Sequence, residues 1–241
     1  VQTCALPISQ GRKGYVLMLD ARNVFHKVSR KIYDFAPEQL ANLTAIVWLY
    51  RGQTDRFLDL VQGYLRRLCD ECAVVPDKLS ACQKTLDTLH TQLAELAALT
   101  KKTRAIAADQ RQPLEDALTE LTQIRTDSAE PEKALLHALT AYRGQYSRKP
   151  PKDNAGQHAA RTAFDPAADQ VKAHSKQLEA LFKATSRAVQ AAAALAADES
   201  LSDHYERRTA TRRLKELEEE NKAAREQLAQ VLYFHRQIGW L

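Results

Sequence analysis

Three stretches of this chain place an apolar or small side chain every three and four residues in strict alternation. Little besides packed long helices can use such a pattern. The first stretch is Leu79, Cys82, Leu86, Leu89, Leu93, Leu96, Thr100, Thr103 and Ala107. The second is Val171, His174, Leu178, Leu181, Thr185, Ala188, Ala192 and Leu195, and the third Leu214, Leu217, Asn221, Ala224, Leu228, Val231, His235 and Ile238. A mean spacing of 3.5 residues nearly matches the turn of an α-helix, so each helix carries one narrow apolar seam. The first would form a rod of ~50 Å. Of 241 residues, 38 are Ala and 31 Leu, against 7 Gly and 7% aromatics. Helix formers abound and turn formers are scarce. The expected fold is mainly α: long helices with coiled-coil-like heptad seams, plus one N-terminal β-strand.

That strand is Gly14-Tyr15-Val16-Leu17-Met18-Leu19-Asp20, apolar on both faces as in a buried α/β strand. Pro37 starts a helix with Leu40, Leu43, Ile46, Val47 and Tyr50 on one side, and Arg51-Gly52 ends it. Thr54 caps a second helix, carrying Phe57, Leu58, Val61, Leu65 and Leu68, which Pro76 is expected to stop. The chain then divides into a helical pair at 37–76 and a long helix followed by shorter ones at 77–146. In the latter, Pro113 and Pro131 each restart a helix and Ser128 serves as a cap. Residues 147–165, with Pro150, Pro151 and Gly156, read as a linker, and 166–241 as a C-terminal helical hairpin. The opening Val1-Gln2-Thr3-Cys4-Ala5-Leu6-Pro7-Ile8 resembles a translated sequencing-library adapter. Residues 1–9 are therefore read as a non-native scar, and the natural protein is expected to extend further N-terminal.

The net charge of +5 is local. Arg12, Lys13, Arg22, Lys27, Arg30 and Lys31 face only Asp20 within residues 10–33, and the remainder balances at 29 basic against 29 acidic. Those six side chains are the candidate nucleic-acid contacts. Arg207, Arg208, Arg212 and Arg213 precede Glu216, Glu218, Glu219 and Glu220, and that helix face is expected to be salt-bridged. Leu214, Leu217, Asn221, Leu228 and Val231 are the candidate seam for a partner helix, with the buried amide of Asn221 fixing register. His174 and His235 also fall on seams and are expected to be packed there.

Cys69-Asp70-Glu71-Cys72 has the spacing of a metal knuckle, but only Cys82 and His90 follow to complete a ligand set. Buried thiols are the plainer reading. The sequence contains no glycine-rich phosphate loop, no nucleophile elbow and no His-Glu-x-x-His. With no apolar run long enough for a membrane span and no disulfide framework, a soluble cytoplasmic protein is expected.

One run is specific in its wording. It reads Val16-Leu17-Met18-Leu19-Asp20-Ala21-Arg22-Asn23-Val24-Phe25, then Lys27-Val28-x-Arg30-Lys31-Ile32-Tyr33-Asp34-Phe35 and Pro37-Glu38-Gln39. It continues as Asn42-Leu43-x-Ala45-Ile46-Val47-Trp48-Leu49-Tyr50-Arg51-Gly52 and Arg56-Phe57-Leu58. This resembles the region just C-terminal to the catalytic core in modification (M) subunits of type I restriction–modification systems, which are N6-adenine DNA methyltransferases. The resemblance implies a parent enzyme that uses S-adenosylmethionine. It also implies a specificity (S) and a restriction (R) subunit as partners, and double-stranded DNA as substrate. Residues 10–36 would then be the end of a truncated Rossmann-like α/β methyltransferase domain. The family's glycine-containing cofactor loop and Asn-Pro-Pro-aromatic motif are not in this sequence. No catalytic or cofactor residue carries over, and the chain is expected to serve assembly and to bind no cofactor itself. The contrasting expectation is a stand-alone coiled-coil scaffold whose basic 10–33 segment holds an acidic partner.

Overall fold

The computed structural model describes residues 16–27, 29–102, 106–196 and 206–240. Its elements are the two-residue strands β1 (His26–Lys27) and β2 (Tyr33–Asp34), and the helices α1 (Pro37–Tyr50), α2 (Thr54–Lys102), α3 (Ala108–Tyr146), α4 (Asn154–Ala163), α5 (Asp165–Leu195) and α6 (Arg207–Trp240). The described chain is mainly helical, as expected.

The first seam proves longer than its sequence pattern. From Val61 the buried positions run Leu65, Leu68, Cys72, Val75, Leu79, Cys82, Leu86, Leu89, Leu93, Leu96 and Thr100 in unbroken three–four alternation. Pro76 does not end a helix; it lies inside α2. A proline within a helix costs ~3 kcal/mol through its missing N–H and its ring. Each fully buried Leu or Val contributes ~1.5–3 kcal/mol, so the seam on either side outweighs it. At its other end the seam stops short. α2 finishes at Lys102, Thr103 lies outside the described residues, and Ala107 is the exposed N-cap of α3.

Pro113 and Pro131 likewise lie inside a single helix, α3. Both rings point to solvent, while Leu114, Leu121, Ser128, Leu135 and Tyr142 stand seven apart along the buried side. Ser128 is therefore no cap. Its Oγ donates to the Ile124 carbonyl within the helix.

The four long helices close on one another in the order α2–α3–α5–α6 and back to α2. Cross-helix contacts march in opposite directions at every step, so each neighbouring pair is antiparallel. Between α2 and α3 they run from Gln83–Glu132 through His90–Thr122 to Lys101–Glu115. Between α3 and α5 they run from Glu120–Arg187 through Glu132–His174 to Tyr142–Phe164. α5 meets α6 at Asp165–His235 and Glu179–Arg225, and α6 meets α2 at Phe234–Tyr64 and Gln227–Glu71. This is an up-down-up-down four-helix bundle. Its near end holds the start of α2, the end of α3, the start of α5 and the end of α6; its far end holds the opposite termini.

The expected linker at 147–165 is a packed corner of the near end. Pro150 is buried and its carbonyl accepts from Gln62 Nε2 at 3.0 Å. Asp153 caps α4 by accepting from Gly156 N at 2.8 Å. Gln157 Nε2 donates to the carbonyls of Leu58 and Pro151. Phe164, fully buried, sets its ring edge-on to Tyr142 at 4.7 Å between centroids. A side chain at Gly156 would come within 2.7 Å of Pro151 Cβ, so the close approach of chain to chain requires glycine there.

Of the expected strand at 14–20, the described part, 16–20, is not a strand. Tyr15 and earlier residues lie outside the described ones, and 16–20 have no strand pairing. β1 pairs with β2 antiparallel instead, His26 opposite Asp34 and Lys27 opposite Tyr33. Among the described residues no parallel sheet offers Val16–Asp20 a place, which leaves Val16 84% and Met18 88% exposed.

Candidate docking surface

α1 is the element that makes the near end unusual. Its apolar residues surround it almost completely: Leu40, Leu43, Ile46, Val47, Trp48, Leu49 and Tyr50. A helix of that kind needs cover on more than one side. The bundle covers only the side bearing Ala45 and Asn42. The expected inward face is therefore wrong in part, because Leu40 and Ile46 point to solvent, as Leu49 does. The sequence carried this signal in the all-round apolar pattern.

A polar network fixes α1 to the bundle. Asn42 Nδ2 donates to Gln237 Oε1 at 2.7 Å, and Tyr64 Oη donates to Asn42 Oδ1 at 2.9 Å. Tyr233 Oη donates to Glu38 Oε2 at 3.0 Å. Burial and the Glu38 carboxylate push both phenols up to about 12, so they remain donors at any physiological pH. α1 is thus held by a few directed bonds, while Leu40 and Ile46 stay exposed.

That face continues into the N-terminal segment. Val16, Met18, Leu19, Phe25, Ile32, Tyr33 and Phe35 are exposed, as is Trp240 at the end of α6. Between α1, the segment and α6 lies a cavity of about 280 Å³, lined by Leu19, Val24, Leu43, Ile46 and Trp240 and equally by Asp20, Asn23, Gln39, Asn42 and Gln237. Such a mixed lining suits a group that is part apolar and part hydrogen-bonding. A second cavity of about 580 Å³ runs between α5 and α6. Several of its charged groups are engaged with one another: Asp165 lies 3.5 Å from Arg161 and 3.0 Å from His235, and Asp169 lies 2.9 Å from Lys172.

The six candidate nucleic-acid contacts do not form one patch. Arg12 and Lys13 lie outside the described residues. Arg22 is tied to Asp20 through its side chain and its backbone N–H, which holds the carboxyl below and the guanidinium above their usual values. Lys27 sits over the Tyr33 ring at 5.8 Å. Arg30 and Lys31, in the turn between β1 and β2, remain exposed, beside exposed Ile32.

Leu217, Asn221, Leu228 and Val231 are buried within the bundle, and Leu214 is half-buried. The candidate partner seam therefore meets this chain's own α2 and α5. Asn221 Nδ2 donates to the Leu178 carbonyl of α5 at 2.8 Å, a register bond inside one molecule. His174 and His235 are packed, as expected, and burial lowers both imidazoles.

Cys69, Cys72 and Cys82 are free thiols in the core. Burial pushes all three up, Cys69 and Cys82 to about 11, so they sit as small apolar groups and not as nucleophiles. Among the described residues no three His, Cys, Asp or Glu side chains are grouped to hold a metal ion, and no helix is long and apolar enough to cross a membrane.

Comparison with protein-family models, with curated proteins and with solved structures returns no match.

Proposed function

We propose that this chain is the helical C-terminal part of a type I modification subunit, a DNA adenine-N6 methyltransferase, and that it serves assembly. One observation carries the reading. The residues that resemble the family, 16–58, also supply most of the exposed apolar surface, while the seams of the four long helices are spent internally. A stretch written in that family's wording, yet left apolar in solvent, behaves as half of an interface. The catalytic region of the enzyme would be the other half, and the bundle would stand beyond it as the part that meets the specificity subunit.

The described residues do not fit S-adenosylmethionine. Among the described residues no parallel sheet carries a cofactor loop, Asp20 is engaged by Arg22, and the single glycine at positive φ, Gly52, closes α1. The methyl-transfer chemistry is therefore assigned to the parent enzyme and to no residue of this chain.

The test is genomic and then biochemical. The reading frame upstream of Gln10 should encode a glycine-containing loop and an Asn-Pro-Pro-aromatic motif, with a specificity-subunit gene beside it. Co-expression of the two genes should protect adenines at one DNA sequence. A start codon just upstream with neither motif would defeat the proposal. It would favour a stand-alone helical scaffold, a reading consistent with a bundle that closes on itself.

A further inference from the structure

We draw no further inference here: the strongest candidate, the basic surface patch of Arg148, Lys149 and Lys152 on the corner between α3 and α4, joined through Gln62 to Arg66 of α2, carries nothing because nothing in the structure shows which kind of anionic partner covers it.

Discussion

The two ends of the bundle are finished in opposite ways. At the near end the interior is sealed by α4 and Phe164, while the outside carries Met18, Ile46, Leu49 and Trp240 in solvent. At the far end the described exposed side chains include the cations Arg208, Arg212 and Lys215 of α6 and Lys101 and Lys102 of α2, with the acids Asp109 and Glu216 among them. Each end has a local cost in the isolated chain, apolar surface in water at one and like charges on a helix N-terminus at the other. Between them most described seam positions are buried against neighbouring helices of the same bundle. Whatever the molecule binds should therefore be read at its ends. Open seams along the helices, awaiting a partner, are not what the chain presents; it should melt cooperatively as a folded bundle.

The largest effect expected is at the sealed corner. Phe164→Ala removes a fully buried ring between Tyr142 and His235 and should cost ~3–5 kcal/mol, measured by denaturant unfolding. If it costs less than ~1 kcal/mol, the near end is not closed and the contrast between its inside and outside fails. Gly156→Ala tests the same corner through its backbone. A Cβ meeting Pro151 at 2.7 Å should displace the 150–156 turn and cost ~1–3 kcal/mol. Hydrogen exchange should rise in α4 and at the start of α2, and stay unchanged at the far end.

A pH titration separates the paired middle from both ends. His174 lies in the core with its Nε2 3.7 Å from Glu132 Oε2 and its Nδ1 3.1 Å from Gln177 Oε1. Burial lowers the imidazole and raises the Glu132 carboxyl. As pH falls through the ordinary histidine value of ~6.5, the unfolded chain takes up a proton that the native chain resists. Stability is lost over that window, and His235 acts in the same direction. Glu132 opposes it: its native form holds a proton more readily than the unfolded one, so acidification towards ~4.5 recovers stability. The melting temperature should fall by a few degrees between about pH 7 and 5.5. His174→Gln should flatten that fall, and Glu132→Gln should steepen it. A melting temperature that stays level across the window in Glu132→Gln, where the opposing carboxyl is gone, would show that His174 is not desolvated.

How much of the fold is legible in the sequence follows from what each residue does. The leucine seams can be read because burial at heptad positions is a local, periodic signal. α3 reads as separate pieces because its middle is polar. Ser128 holds a seam position with Glu132 half-buried beside it, and Pro131 looks like a breaker although its ring faces water. Pro76 misleads in the same way, even though Leu65 and Leu68 are in phase with Leu79 across it. The corner at 147–165 is hidden because its order comes from long-range bonds, Gln62 to Pro150 and Gln157 to Leu58. At the near end the charge count misdirects attention, since Arg22 and Lys27 are answered by Asp20 and Tyr33, residues only a few positions away. On α6 the sequence balance conceals that, among the described residues, Arg208, Arg212 and Lys215 form no ion pair with the acids that follow them, whereas Lys222 pairs with Glu226.

The smallest stability effect, and the sharpest test of the two-ended picture, comes from the outer face of α1. Met18→Ser, Ile46→Ser and Trp240→Ser replace side chains exposed at the surface, so each should change unfolding free energy by no more than ~0.5 kcal/mol. Together they should raise the concentration at which the chain begins to self-associate, seen by light scattering, because the apolar area that drives association is gone. If the triple variant instead melts as low as Phe164→Ala, those residues belong to the core. The near end would then have no face to offer, and the catalytic region of a parent enzyme would have nothing to dock on.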